Sequence, residues 1–191
     1  MPRVIDYAIV LEQMQRAKFR CLYHNSGAFG FLDESGTGSV GWIGAADGTL
    51  KPGARMLARM VGEPIEENLS KLASRAWGDH LLGAVWVMPK SHWAYELEFG
   101  SREWMPGLLE KVGIEAALLI GRNNAAAIEF QPGEEQQFQF FVQQLLTNLA
   151  GSDFLLAFPQ HKTICTVHNH KQLWWTTGDR AILDALERLV S

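Results

Sequence analysis

The sequence predicts an α+β fold: a single domain over residues 1–191, with a mixed but mostly antiparallel sheet built from β-hairpins alternating with amphipathic helices. Three observations carry this. After residue 80 the order is strand–strand–helix, strand–strand–helix, strands–helix, with turns too short for anything but antiparallel neighbours. Two segments place apolar residues at helical spacing: Phe138, Phe141, Val142, Leu145, Leu146 and Leu149, then Ile182, Leu183, Leu186, Leu189 and Val190. Asp153 to Thr177 reads as three short strands joined by two turns.

That last stretch holds half of the six histidines and two of the seven tryptophans. Phe154 to Phe158 is a short, continuous apolar run, the pattern of a strand buried on both faces. Thr163 to His168 is β-branched and mixed. Asn169 to Gln172 breaks it, and Leu173 to Thr177 resumes it. Side chains alternate across a strand, so His168 shares the face of Ile164 and Thr166, opposite Cys165 and Val167. Trp174 and Trp175 must likewise point to opposite faces: one enters the core, the other is covered by a further element or exposed.

Earlier in the chain, Asp6 can cap a helix that runs to about Lys18, with Tyr7, Val10, Leu11 and Met14 on one side. Arg20 to His24 and Ala28 to Leu32 read as strands around Asn25-Ser26-Gly27, and Val40 to Ile43 as a third. Pro52 and Gly62 bracket a predicted helix through Met56 to Val61, and Pro64 opens the next. In that next helix Ile65, Leu69, Leu72, Ala73 and Ala76 form the apolar stripe. Leu81 to Met88 is apolar except for Gly83 and reads as a central strand. His92 to Phe99 alternates strictly, placing Trp93, Tyr95, Leu97 and Phe99 inward. Trp104 to Val112 is a short helix closed by Gly113. Glu115 to Ile120 and Ala125 to Phe130 are predicted to pair as a hairpin around Arg122-Asn123-Asn124. The repeated order hints at duplication, but no residue-level repeat accompanies it.

The totals exclude several classes of function. Apolar residues make up 47% and charged ones 20%, the balance of a globular protein. A net charge of −4 without a basic run gives no reason to expect nucleic acid. No apolar run approaches the ~20 residues of a membrane span, and the first residues lack a signal-type apolar core. Cys21 and Cys165 are too far apart in sequence for a C-x-x-C pair and fit free thiols in a reducing compartment. These observations predict a soluble, cytoplasmic protein.

Candidate chemistry gathers on the histidines. His168 and His170 stand at i and i+2, where an extended chain presents both on one face, as metal ligands need. His161, or His92 with Glu96, could complete a set suited to zinc or another divalent ion. The simpler account is a solvated hairpin tip, since no H-E-x-x-H signature accompanies the pair. Asp79 followed by Glu96-Leu97-Glu98 is similar to the acid and acid-x-lysine pattern of restriction-type nucleases, but Glu98 stands where the lysine belongs. Cys165 and His168 point oppositely on one strand and cannot form a nucleophilic dyad directly. Gly36-Thr37-Gly38-Ser39 lacks the lysine and setting of a phosphate loop.

The expectation is therefore a non-catalytic binding or protein-interaction module, with a metal-dependent hydrolase on the His-rich hairpin as the alternative. Its binding residues are expected among His161, His168, His170, Lys171, Trp174, Trp175, His92 and Glu96. The partner would be an unidentified small ligand or protein, not a membrane, and no residue pattern names a cofactor.

Overall fold

The computed structural model describes residues 1–17, 19–23, 29–33, 39–44, 55–58, 62–89, 93, 104–120, 126–149, 154–168 and 171–191. An eight-stranded sheet gathers strands from across the chain. Its strands are β1 (Arg3–Ile5), β4 (Ser39–Gly44), β5 (Arg55–Ala58), β6 (Val85–Pro89), β7 (Ala127–Phe130), β8 (Phe154–Phe158), β9 (Thr163–His168) and β10 (Gln172–Thr177). The spatial order is β1-β7-β6-β8-β9-β10-β4-β5; β2 (Phe19–Tyr23) and β3 (Phe29–Asp33) form a separate antiparallel ribbon. In the large sheet every neighbouring pair is antiparallel except β4 with β5. The α+β class and the mixed, mostly antiparallel sheet are as the sequence predicts.

Alternation along the strands divides the interior in two. Val85, Val87, Ile128, Phe130, Phe154, Leu156, Phe158, Cys165, Val167, Leu173 and Trp175 belong to the larger core. They pack with residues of α2 (Ile65–His80), α3 (Trp104–Lys111), α4 (Ala117–Ile120), α5 (Glu135–Asn148) and α6 (Arg180–Val190). The aromatic centre is Phe138, edge-on to Trp77 at 5.0 Å and to Phe130 at 5.6 Å between ring centroids. Of the predicted inner residues of α5 and α6, Phe138, Phe141, Val142, Leu145, Leu146 and Leu149, then Ile182, Leu183 and Leu186, are buried, while Leu189 and Val190 are half-buried. Asp179 caps α6, accepting the Ala181 amide at 2.9 Å. On the opposite face, Val10 and Met14 of α1 (Tyr7–Arg16) pack with Trp86, Met88, Ala127, Leu155, Ala157 and Ile164. Asp6 takes the N-cap position of α1, but its carboxylate makes no capping bond.

Two predicted elements are corrected. Residues 56–58 belong not to a helix but to β5, parallel to β4 with Gly41 opposite Arg55 and Trp42 opposite Met56. A four-residue segment has no room for a helical stripe; here Met56 is 48% exposed and Leu57 8%, the alternation of a strand. Gly62 precedes α2 rather than ending a described helix. Residues 117–120 form α4, not a strand, beginning with i→i+3 bonds from the Leu118 and Leu119 amides to the carbonyls of Glu115 and Ala116. Alanine and leucine lose little side-chain freedom in a helix, and this run is rich in both. The predicted hairpin is therefore absent: β7 pairs with β1 and β6. Of the strand predicted over residues 92–99, Trp93 alone is described, buried and donating its indole N–H to the Ala126 carbonyl at 2.9 Å; the rest lies outside the described residues.

Candidate functional site

The predicted histidine surface is divided by the sheet. β9 begins at Thr163, opposite Thr177, and ends at His168, opposite Gln172. Five residue steps of strand, about 17 Å, lie between those ends. His161 stands in a single 3-10 turn (Pro159–His161) before β9, while Lys171 enters β10 at the far end, beside His168. Trp175 is fully buried and stacks on Phe158 at 5.8 Å. Trp174 is 9% exposed and donates its indole N–H to Gln172 at 2.8 Å, so neither ring is an open docking face. His92, Glu96 and His170 lie outside the described residues. Among the described residues no three His, Cys, Asp or Glu side chains come together as a metal-binding group. Asp79 lies near the end of α2, and Glu96-Leu97-Glu98 lies outside the described residues. Cys165 is buried, and burial pushes its thiol well above its usual range. That is the character of a packed thiol rather than a nucleophile.

His161 instead follows Pro159 and Gln160, which line an open cleft. This cleft, of about 490 Å³, is lined by Gln13, Arg16 and Ala17 of α1, by Ala84 and Trp86, by Glu129 and Gln131, and by Pro159 and Gln160. Its volume is in the range of small-ligand sites. A second cavity of about 390 Å³, around Glu110 and Gly113 to Ala117, has no buried charged side chain in its lining.

The floor of the larger cleft is built from β7. This strand is buried along its length, and alternation puts Glu129 on the α1 face with Ala127. A carboxylate that is only 5% exposed needs partners, because an unpaired buried charge is costly. Glu129 has three. Oε1 accepts from Arg3 Nε at 2.6 Å and from Gln131 Nε2 at 2.7 Å; Oε2 accepts from the indole of Trp86 at 2.9 Å. Arg3 reaches it because β1 pairs with β7 in the register Arg3 opposite Glu129. Trp86 reaches it because Trp86 is the partner of Glu129 across β6 and β7. Gln131 is held in turn: its amide N–H donates to Glu134 Oε2 at 2.8 Å, and its carbonyl accepts the Glu134 amide at 3.0 Å.

The rim is equally specified. The chain leaves α2 through Leu81 to Ala84, and Gly83 takes φ +98°, a conformation that favours glycine. Trp77 donates its indole N–H to the Gly83 carbonyl at 2.7 Å, and His161 Nε2 donates to the Leu82 carbonyl at 3.0 Å. The carboxamide of Gln160 lies directly against Gly83: a Cβ there would stand 2.0 Å from its oxygen. On the α1 side, Arg16 ion-pairs with Glu12 one helical turn earlier.

The cleft thus combines a carboxylate held by three donors with amide and guanidinium groups on its walls. It can hold a ligand by hydrogen bonds. Nothing in the residue types signalled it beyond one acid inside an apolar strand and one glycine inside an apolar run. No protein-family model matches the chain, and no curated protein or solved structure matches it.

Proposed function

We propose that the protein is a non-catalytic binding module and that its site is the cleft floored by Glu129, which takes a small polar ligand. One observation carries this: a buried carboxylate whose two oxygens already accept from Arg3, Gln131 and Trp86, at the floor of an open cavity of about 490 Å³. Glu129 uses three of its roughly four acceptor sites to orient three neighbours, which is how a binding surface is held rigid. A soluble, cytoplasmic setting is part of the proposal, supported by the separated cysteines and the ordinary charged fraction. Among the described residues no helix is long and apolar enough to cross a membrane.

The Trp86 indole N–H gives the site its own reporter, since it donates to Glu129 in the cleft wall. Uniformly 15N-labelled protein mixed with pools of small polar metabolites should show a saturable shift of that indole signal, together with the Gln13, Arg16 and Gln131 amides. The ligand should be recovered unchanged after incubation. Shifts confined to Lys171 and the far end of β10 would move the site to the hairpin and refute the proposal; turnover of the ligand would refute its non-catalytic part.

A further inference from the structure

We infer that the ligand of this cleft is uncharged and offers a hydrogen-bond donor beside an acceptor, as a sugar diol or a carboxamide does, and that Gln160, seated on Gly83, reads that pair. The inference rests on the cleft being the binding site. Its first support is charge. Among the described residues the formal charges at the cleft are paired: Glu129 with Arg3, and Arg16 with Glu12. An anion entering the cavity meets the Glu129 carboxylate at its floor, and a cation meets the guanidinium groups of Arg3 and Arg16. Neither finds an uncompensated opposite charge among the described residues.

The second support is which polar groups are left over. Gln13 and Gln160 line the cavity, and their carboxamides make no hydrogen bond among the described residues. Gln131 commits one N–H to Glu129 and keeps its carbonyl oxygen and second N–H. Each carboxamide presents an acceptor next to a donor at fixed spacing, so its complement is a group with the same pair in reverse order.

The third support is the seat under Gln160. A side chain on Gly83 would stand 2.0 Å from Gln160 Oε1, 2.4 Å from Cδ and 2.8 Å from Nε2, so the whole carboxamide occupies space that only glycine leaves open. Gly83 is fixed from beneath by Trp77, and the neighbouring Leu82 carbonyl by His161. Gln160 is exposed, but its carboxamide lies against Gly83; a side chain already lying there loses less rotamer freedom on binding than one projecting into water, and that difference appears as affinity. His161 is then a positioning residue for this rim.

The test titrates the full-length 15N-labelled chain with four probes and reads the Trp86 indole signal: methyl glucoside for the diol, acetamide for the carboxamide, inorganic phosphate for an anion and putrescine for a cation. At least one neutral probe should shift the signal saturably while phosphate and putrescine leave it in place; which neutral probe acts distinguishes hydroxyl from carboxamide ligands. Gly83→Ala and Gln160→Ala should each weaken that response at least tenfold, and Gln160→Ala, which asks nothing of the backbone, covers the case in which Gly83→Ala does not fold. Saturation by phosphate or putrescine with silent neutral probes would overturn the ligand class while leaving the cleft as a binding site. Silence of all four would overturn both. Unchanged neutral binding in Gln160→Ala would overturn the role given to Gln160.

Discussion

Replacing Glu129 by glutamine tests whether the buried carboxylate organises its end of the sheet. The substitution keeps the shape and removes the charge. The wild-type side chain accepts from Arg3 and Gln131 on Oε1 and from Trp86 on Oε2. A glutamine can satisfy only one of those sides. If its oxygen faces Arg3 and Gln131, its NH2 opposes the buried indole N–H of Trp86, which is 1% exposed and then has no acceptor there. Leaving a buried donor unpaired costs about 1–3 kcal/mol, and a hydrogen bond to a charged group contributes about 1.5–3 kcal/mol. The Arg3 side chain is 68% exposed, so its loss of a charged partner adds little after solvent screening. Glu129→Gln should therefore lower unfolding stability by about 2–3 kcal/mol, read as a shift of the urea midpoint at unchanged slope. Trp86→Phe in the Glu129→Gln background should lose less than the sum of the two single changes, because the opposed donor is gone. A Glu129→Gln loss below about 0.5 kcal/mol, the scale of an ordinary surface change, would refute the claim that this carboxylate is a buried, fully engaged acceptor.

Other expectations follow from the same geometry. Leu145→Ala should cost about 2–5 kcal/mol by denaturant unfolding, since Leu145 is fully buried on the inner stripe of α5; a loss of surface size would mean that the wrong face was placed inside. Trp77 and Trp175 form a matched pair. The Trp175 indole N–H is buried without a partner among the described residues, whereas that of Trp77 donates to the Gly83 carbonyl at 2.7 Å. Trp175→Phe should therefore be the milder substitution by about 1–2 kcal/mol, because it removes an unsatisfied donor rather than a hydrogen bond; the reverse order would count against the orphaned indole. Arg55 of β5 holds Asp184 of α6 by a hydrogen bond of 2.6 Å, and this bond draws the Asp184 carboxyl below its ordinary value. Because the folded-state pKa is depressed, the contribution is present above the unfolded value of ~3.9 and is lost as pH falls through the folded value. The stability gap between wild type and Arg55→Met should narrow over that acid window; a gap that widened there would reverse the sign of the linkage.

Long periodic segments were readable because periodicity is a local property. The stripes over Phe138 to Leu146 and Ile182 to Leu186 identify helices whose buried sides can be named residue by residue. Phe154 to Phe158, apolar throughout, is buried throughout. The misread segments are short. Residues 56–58 and 117–120 carry too few residues to display either period, so their state depends on neighbours. β5 is a strand because β4 lies beside it, and its Arg55 reaches Asp184 and Glu187 on α6. The predicted hairpin before Phe130 failed for a related reason. Antiparallel neighbours need not be consecutive: the chain leaves β6, forms α3 and α4, and only then returns as β7 beside it.

The site was less legible, and the reason is energetic. Histidine and lysine attract notice by residue type, yet on a turn such side chains can be satisfied by water at little cost, so their presence alone demands no network around them. Glu129 is an ordinary residue type in an ordinary-looking strand, Ala127-Ile128-Glu129-Phe130. What sets it apart is that the strand is buried on both faces, so the carboxylate is left only 5% exposed at the floor of the cleft and must be matched mainly inside the protein. That requirement recruits Trp86 from β6 and Gln131 from the following turn, and Arg3 from 126 residues away. No local pattern can announce a partner that distant. The demand itself was visible, however: an acid flanked by apolar residues in a central strand requires a network, and Gly83 in an apolar run marks a close approach of another group. Those two positions fall on the floor and rim of one cleft. A lone charge that cannot avoid burial therefore marks a place where the fold must organise neighbours around it, a demand that residue type alone does not express.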